Sequence, residues 1–181
     1  MRRWIAPIAA VIVATTAGLV TPAAASASPY CGITWGSLPE AHDEMSQAPL
    51  VNVRAGQHQC FDRLVLDLRG KADGYRVEYV PAVRSDGSGA VIPVRGGARL
   101  QVSLLAPAHD ANYNQTFRPA NRDEVVNVAG WRTFRQVVFA GTYEGVTTLG
   151  LGVRARLPFR VITLDGPGSG SRIVIDVAHS W

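Results

Sequence analysis

The chain has 181 residues, 47% of them hydrophobic, with 18 basic and 14 acidic side chains and a formal net charge of +4. Half of that surplus is Arg2 and Arg3 at the extreme N-terminus, so the remainder is too evenly balanced for a nucleic-acid footprint. The length suits one domain, large enough to bury a core.

Residues 1–27 read as a secretory signal. Arg2 and Arg3 supply positive charge, an apolar stretch runs from Trp4 to Val20, and Ala25-Ser26-Ala27 fits a small-residue cleavage site. An uncleaved anchor is the alternative, but Pro7, Thr15, Thr16 and Gly18 interrupt a run already short of the roughly 20 residues of a span. Cys31 follows Ser28-Pro29-Tyr30, which is not the Leu-led motif that precedes a lipidated cysteine. The mature chain from Ser28 is therefore expected outside the cytoplasmic membrane, secreted or in the cell envelope, with no stable membrane span. An oxidising compartment favours pairing Cys31 with Cys60, with two free thiols as the alternative.

Residues 28–60 read as an irregular N-terminal arm. Ser37-Leu38-Pro39-Glu40 has the spacing of a capping box, which predicts a short helix to about Met45 carrying His42, Asp43 and Glu44. From residue 61 to 181 the pattern is that of one β domain. Strands are expected at Phe61–Leu68, Tyr75–Val80, Ala98–Leu105, Phe134–Ala140, Thr147–Val153, Phe159–Leu164 and Arg172–Ala178, with shorter pieces at Val51–Val53 and Val91–Val94. Gly-rich turns separate them, among them Ser85-Asp86-Gly87-Ser88-Gly89 and Gly166-Pro167-Gly168-Ser169-Gly170. Many short strands without intervening helical patterns predict an all-β sandwich or barrel. Residues 106–130 form a longer polar connection holding Tyr113, Phe117 and Arg118, and such a stretch is either a functional loop or a mobile one.

Two strands nearly repeat each other. Asp62-Arg63-Leu64-Val65-Leu66-Asp67-Leu68 and Ser171-Arg172-Ile173-Val174-Ile175-Asp176-Val177 both place Arg second and Asp sixth. Alternation sends Leu64, Leu66 and Leu68 to one face and Arg63, Val65 and Asp67 to the other, with Ile173, Ile175 and Val177 against Arg172, Val174 and Asp176 in the second copy. Arg63, Asp67, Arg172 and Asp176 are thus candidate ligand-binding residues on an outward platform, joined by Arg135 from the Phe134–Phe139 strand. Arginine forks suit carboxylates. The plainer reading is cross-strand Arg–Asp pairing on a solvated face.

Recognisable catalytic and cofactor motifs are missing. His42, His58, His109 and His179 lie in no HExxH or H-x-H spacing, so no metal site is expected. No G-x-S-x-G elbow occurs. Gly150-Leu151-Gly152 lacks the third glycine and the helix of a dinucleotide fold. No cofactor is implied, and an enzymatic role is not expected. His179, just after the last strand, reads as a surface residue.

The chain resembles an AMIN-like domain, related to the AMIN domain found beside cell-wall amidases and in envelope secretion machinery. The stretches that carry the likeness are Phe61 to Leu68 with Gly70, Gly74-Tyr75-Arg76-Val77-Glu78-Tyr79, Thr142-Tyr143-Glu144-Gly145, Leu157-Pro158-Phe159-Arg160-Val161, and Ser171 to His179. It covers about Phe61 to His179. The resemblance implies a sandwich of two small related sheets and a non-catalytic role, binding peptidoglycan or positioning a partner at the envelope. A protein-interaction domain regulating a wall hydrolase, and a carrier of a small apolar ligand between the sheets, are the alternatives.

Overall fold

The structure is a computed structural model that describes residues 29–181. The expected signal segment, residues 1–27, and its expected cleavage site lie outside the described residues. Among those residues no helix is long and apolar enough to cross a membrane.

Eleven strands run in chain order: β1 (Glu40–His42), β2 (Leu50–Gln57), β3 (Phe61–Leu68), β4 (Tyr75–Tyr79), β5 (Val83–Arg84), β6 (Val91–Ile92), β7 (Ala98–Leu104), β8 (Phe134–Tyr143), β9 (Val146–Val153), β10 (Phe159–Asp165) and β11 (Ser171–Ala178). They form two antiparallel sheets, β1-β4-β7-β9-β8 and β10-β11-β3-β2, and a β5-β6 hairpin. The all-β sandwich expected from alternation is the observed architecture. Leu64, Leu66, Ile173 and Ile175 from one sheet meet Leu100, Val102, Leu149 and Leu151 from the other, all fully buried. Burying each such side chain contributes about 1.5–3 kcal/mol.

A second, smaller apolar cluster lies on the far side of the five-stranded sheet, where Val83 and Val94 cover Val138 and Ala140. β9 makes room for this layer with glycine. A Cβ on Gly150 would come within 2.7 Å of Val94, and one on Gly152 within 1.8 Å of the Arg95 carbonyl oxygen. The Gly-Leu-Gly run is therefore a packing device between a sheet and the strap that crosses it. The β8–β9 turn uses Glu144 at φ 45° and Gly145 at φ 81°, the two-residue hairpin geometry with positive φ at both positions.

The capping-box helix does not form. Residues 40–42 are β1 instead, paired through Glu40↔Val77 and His42↔Tyr75. The Glu40 carboxylate accepts a hydrogen bond from the backbone N–H of Val161 at 3.0 Å rather than folding back on its own chain. Sheet pairing outweighs a local propensity worth only about 1 kcal/mol. Burial, partly offset by that bond, raises the Glu40 carboxyl above its ordinary value.

The arm is also less irregular than expected. β2 is a full strand alongside β3, and the short Val51–Val53 piece is its interior. The connection at 106–130 is packed rather than mobile: Ala106, Ala108, Phe117 and Val128 are buried, and the Thr116 hydroxyl donates to Leu50 O at 2.7 Å. Arg122 O and Val125 N–H bond to Phe139 N–H and Val137 O, so this segment covers the open edge of β8, a usual protection for an edge strand.

Cys31 and Cys60 are joined, closing a loop over a separation of 29 residues. The arm is then laid along β10 by reciprocal backbone bonds between Gly36 and Phe159. Chain-entropy accounting gives the crosslink about 3 kcal/mol. Cys31→Ser combined with Cys60→Ser is expected to lower the urea-unfolding free energy by about that amount; an unchanged midpoint would remove the crosslink from the stability account.

Tyr79 ties the sheets together at one end. Its hydroxyl donates to Leu157 O at 2.6 Å and accepts from Leu157 N–H at 3.0 Å, and its ring meets Phe159 edge-on at 5.7 Å. Burial pushes its pKa up to about 12. A phenol whose folded value is raised stabilises the fold fully below its unfolded value of about 10, and that contribution is lost as pH rises from there through about 12. Tyr75 and Tyr143 are also raised, so in an ultraviolet titration of the folded protein Tyr79 should be the last phenol to ionise, and that final step should be absent in Tyr79→Phe.

Candidate functional site: an arginine face on the four-stranded sheet

The two repeated segments are β3 and β11, and they are neighbours in one sheet. Their antiparallel register sets Arg63 opposite Asp176, Val65 opposite Val174, and Asp67 opposite Arg172. The motif is thus a ladder with local two-fold symmetry about the two valines. His179 N–H bonds to Cys60 O at 2.9 Å, which fixes the hydrogen-bonding phase and makes the Arg–Asp positions non-hydrogen-bonded pairs. Side chains approach most closely at such pairs.

Only one end of the ladder closes on itself. Asp176 is fully buried on the outer face. Arg63 holds it with a fork, Nε to Oδ1 at 2.6 Å and Nη2 to Oδ2 at 2.9 Å. Arg160, from β10, reaches the same carboxylate with Nε and Nη2, both 2.9 Å from Oδ2. Aromatic rings lie beside these guanidiniums. Arg63 sits 5.1 Å from the Phe61 ring centre, and Arg160 sits 5.3 Å from that of Trp35. His58 stacks on Phe61 at 4.6 Å. The hydrogen bond to Asp176 raises the Arg63 guanidinium above its already high value.

At the other end Asp67 turns away from Arg172 and takes its partners from β2. Arg54 forks onto it at 2.9 and 3.0 Å, and Asn52 Nδ2 adds a bond at 3.0 Å. Among the described residues Arg172 is left with a single bond, Nη2 to Asp165 O at 3.0 Å, and its buried Nε has no hydrogen-bond partner there. This face therefore carries Arg54, Arg63, Arg160 and Arg172 against Asp67 and Asp176. Beyond its β10 edge a cleft of about 340 Å³ opens between Lys71, Asp73, Thr163 and Asp165.

Of the five expected site residues, Arg63, Asp67, Arg172 and Asp176 come together on this surface. Arg135 does not. It belongs to β8 in the other sheet, and its guanidinium bonds to Trp131 O and Phe134 O at 2.8 and 2.9 Å, bracing the turn into that strand. Arg54 and Arg160 were missed, although Val51-Asn52-Val53-Arg54 and Phe159-Arg160-Val161 alternate in the same manner. Trp35 carried no local signal, since its place depends on the disulfide and the Gly36 bridge.

The first residue of each repeat does different work. Asp62 and Ser171 face inward with the leucines and isoleucines. Asp62 Oδ2 accepts from Thr133 N–H and Phe134 N–H at 2.8 and 2.9 Å, tying β3 to the start of β8. Ser171 Oγ accepts from Ala72 N–H and donates to Gly70 O, tying β11 to the link after β3.

His179 is buried, contrary to its expected surface position, because its backbone extends the β11–β3 ladder to Cys60. Its Nε2 lies 3.0 Å from His58 O, a pure acceptor, so Nε2 carries a proton. Its Nδ1 lies 2.9 Å from Thr133 Oγ. Asp62 Oδ1 stands 3.9 Å from Nε2. Thr133, His179 and Asp62 thus have the identities of a nucleophile, base and orienting acid. Their burial, and the use of Thr133 and Asp62 as staples to backbone, make them structural.

Elsewhere, His42, Glu44 and Asp73 gather potential metal ligand atoms within 4.8 Å of one another at the surface. Exposed groups of this kind are ordinarily solvated.

An antiparallel two-sheet sandwich with an Arg–Asp ladder at the centre of its smaller sheet defines the structural class. The family model for the AMIN-like domain matches residues 48–179, and the chain belongs to that family. The match begins ahead of β2, in keeping with that strand's place in the sheet. No curated protein and no solved structure matches the chain. Membership makes this a cell-wall-related domain in a general sense, and the disulfide fits an extracytoplasmic location.

The two acids of the ladder should differ sharply in mutational cost. Asp176→Ala strands two partly buried guanidiniums and is expected to destabilise by about 3–5 kcal/mol. Asp67→Ala releases a more exposed pair and should cost about 1 kcal/mol or less. Equal effects in chemical denaturation would contradict the burial of the Arg63–Asp176–Arg160 cluster.

Proposed function

We propose that the protein is a secreted, non-catalytic cell-envelope domain that contacts peptidoglycan through the outer face of the β10-β11-β3-β2 sheet. The observation that carries this reading is the excess of arginine on that face. The acids are consumed within the protein, Asp176 by two arginines and Asp67 by Arg54 and Asn52, whereas guanidinium donors remain unspent. Arg63 Nη1 and Arg160 Nη1 have no bonded partner among the described residues, and Arg172 makes one bond. Each guanidinium offers five donors in a plane suited to a carboxylate, and the peptide stems of peptidoglycan carry free carboxylates. The indole of Trp35, at the edge of this face, offers an apolar surface for a sugar ring. Family membership in a cell-wall-related group supports the same reading. A carrier role finds less support, because the space between the sheets is filled by fully buried leucine, isoleucine, valine and phenylalanine side chains.

The test is co-sedimentation of the chain from Ser28 onward with purified peptidoglycan over a salt series. Binding that weakens with salt is expected, since contacts between exposed charges are screened. Arg54→Gln with Arg172→Gln leaves the Asp176 cluster intact and should weaken binding about tenfold or more, the loss of one to two charge-assisted bonds. Binding that is absent at low salt would sink the reading and turn attention to a protein partner such as a wall hydrolase. Binding that ignores both salt and the double substitution would move the site off this face.

A further inference from the structure

The backbone of β2 has one side unused. His58 N–H bonds to Phe61 O at 2.9 Å, and hydrogen-bonded pairs recur at every second residue of an antiparallel ladder. Asn52, Arg54 and Gly56 therefore exchange bonds with Asp67, Val65 and Arg63 across the observed register. The N–H and C=O groups of Val53, Ala55 and Gln57 point the other way, out of the sheet. Among the described residues none bonds to them.

Other long edges of the molecule are protected. Arg122 and Val125 cover β8, Gly36 and Glu40 cover the first half of β10, and the Leu50 end of β2 is itself closed by Pro107 O and the Thr116 hydroxyl. Among the described residues the stretch from Val53 to Gln57 is the long run left bare, and an uncovered edge is a template for another strand.

Gly56 says what kind of strand. It is the seventh of the eight residues of β2 and has ordinary φ, and a Cβ added there would meet nothing nearer than His58 Nε2 at 3.9 Å. Nothing within one protomer requires a glycine at this position. A glycine inside a strand often marks the close approach of another backbone.

We propose that this edge joins two copies of the chain, β2 to β2, antiparallel about a two-fold axis at Ala55. In that register Ala55 faces Ala55 of the partner subunit, and Val53 faces Gln57 of the partner subunit. All of these residues have outward-pointing backbone groups, so each pair exchanges both of its bonds. Arg54 falls opposite Gly56 of the partner subunit, which leaves room for its side chain and avoids a like-charge contact. Centres at Arg54 and Gly56 keep the phase as well, but the first sets two guanidiniums directly opposite each other, and the second carries Val53 beyond the strand to Gln59 of the partner subunit. A centre at Val53 runs into the cap at Leu50, and one at Gln57 runs into the crosslinked turn at Cys60. The two four-stranded sheets then become one sheet with both arginine faces on the same side. If that face binds a polymer as proposed above, the dimer presents two sites to it and gains avidity; the dimer itself does not rest on that reading.

The test is sedimentation equilibrium of the purified, disulfide-intact protein across the micromolar range, with hydrogen exchange of the Val53, Ala55 and Gln57 amides. A dimer is expected, with exchange at those amides slowed as concentration rises. Gly56→Lys has room within a protomer but sets a second cation against Arg54 of the partner subunit, and Ala55→Pro deletes only an outward N–H. Both should be monomeric, with Gly56→Lys binding peptidoglycan about tenfold more weakly than the parent if avidity operates. A parent that stays monomeric, a dimer that survives both substitutions, or edge amides that exchange freely in the dimer would each overturn the proposal. Should either variant fail to fold, the exchange pattern of the parent still decides. A monomer that sediments with the wall removes the dimer alone, and a dimer that does not sediment removes the wall-binding reading alone.

Discussion

The register between β3 and β11 is the constraint on which most of the molecule depends. It brings the start of the domain beside its end, over a separation of more than a hundred residues (Arg63 to Asp176,), and it does so at the centre of the smaller sheet. Slipping by one residue would send Leu64, Leu66, Ile173 and Ile175 out of the core and the charged positions into it. Hydrophobic burial thus fixes the register, and the register in turn makes an Arg–Asp pair on the opposite face. The buried carboxylate of Asp176 follows from this order of causes. It is tolerated there because two guanidiniums satisfy both its oxygens, although such a cluster contributes to specificity of pairing more readily than to net stability.

Around this pair the structure repeatedly uses polar groups to bind sheet to sheet. Asp62 caps the first amides of β8, Ser171 holds the turn after β3, the Tyr79 hydroxyl clasps both backbone groups of Leu157, and Glu40 occupies a donor on the edge of β10. Each is a side chain placed where a backbone group would otherwise lack a partner, which is costly in a buried setting. The same logic explains the packed connection between β7 and β8. Its polar composition suits a surface loop, yet it supplies backbone partners to β8 and a cap to β2, and it closes the side of the sandwich with Phe117 and Val128.

Much of the fold was legible because alternation is a local signal with a period that only strands satisfy. The seven main strands fall within a few residues of their expected limits, and the inward and outward sets of β3 and β11 are those the alternation gives. The capping box misled because Ser37 and Glu40 express a weak local preference that pairing with β4 and β10 overrides. β2 was under-read because its outer positions, Asn52, Arg54 and Gly56, carry little strand propensity. Within the candidate site, Arg63 and Asp176 could be nominated from the repeat, but their pairing could not, since the motif alone does not say whether its copies are neighbours. Arg135 was nominated from the same alternation and lies in the other sheet, because alternation assigns a face to a residue and not a sheet to a strand.

The sequence by itself determined an all-β domain, the two faces of its central strands, a pair of cysteines suited to crosslinking, and a repeated Arg–Asp pattern. These are properties of neighbours along the chain, set by side-chain period and residue chemistry. Tertiary structure alone decided that the repeats pair with each other, that Asp176 is shared by Arg63 and Arg160 while Asp67 goes to Arg54, that His179 is buried, and that the edge of β2 stays open. Each of these depends on which strands lie side by side, a choice made by burial across the whole core and carried by no short stretch of residues.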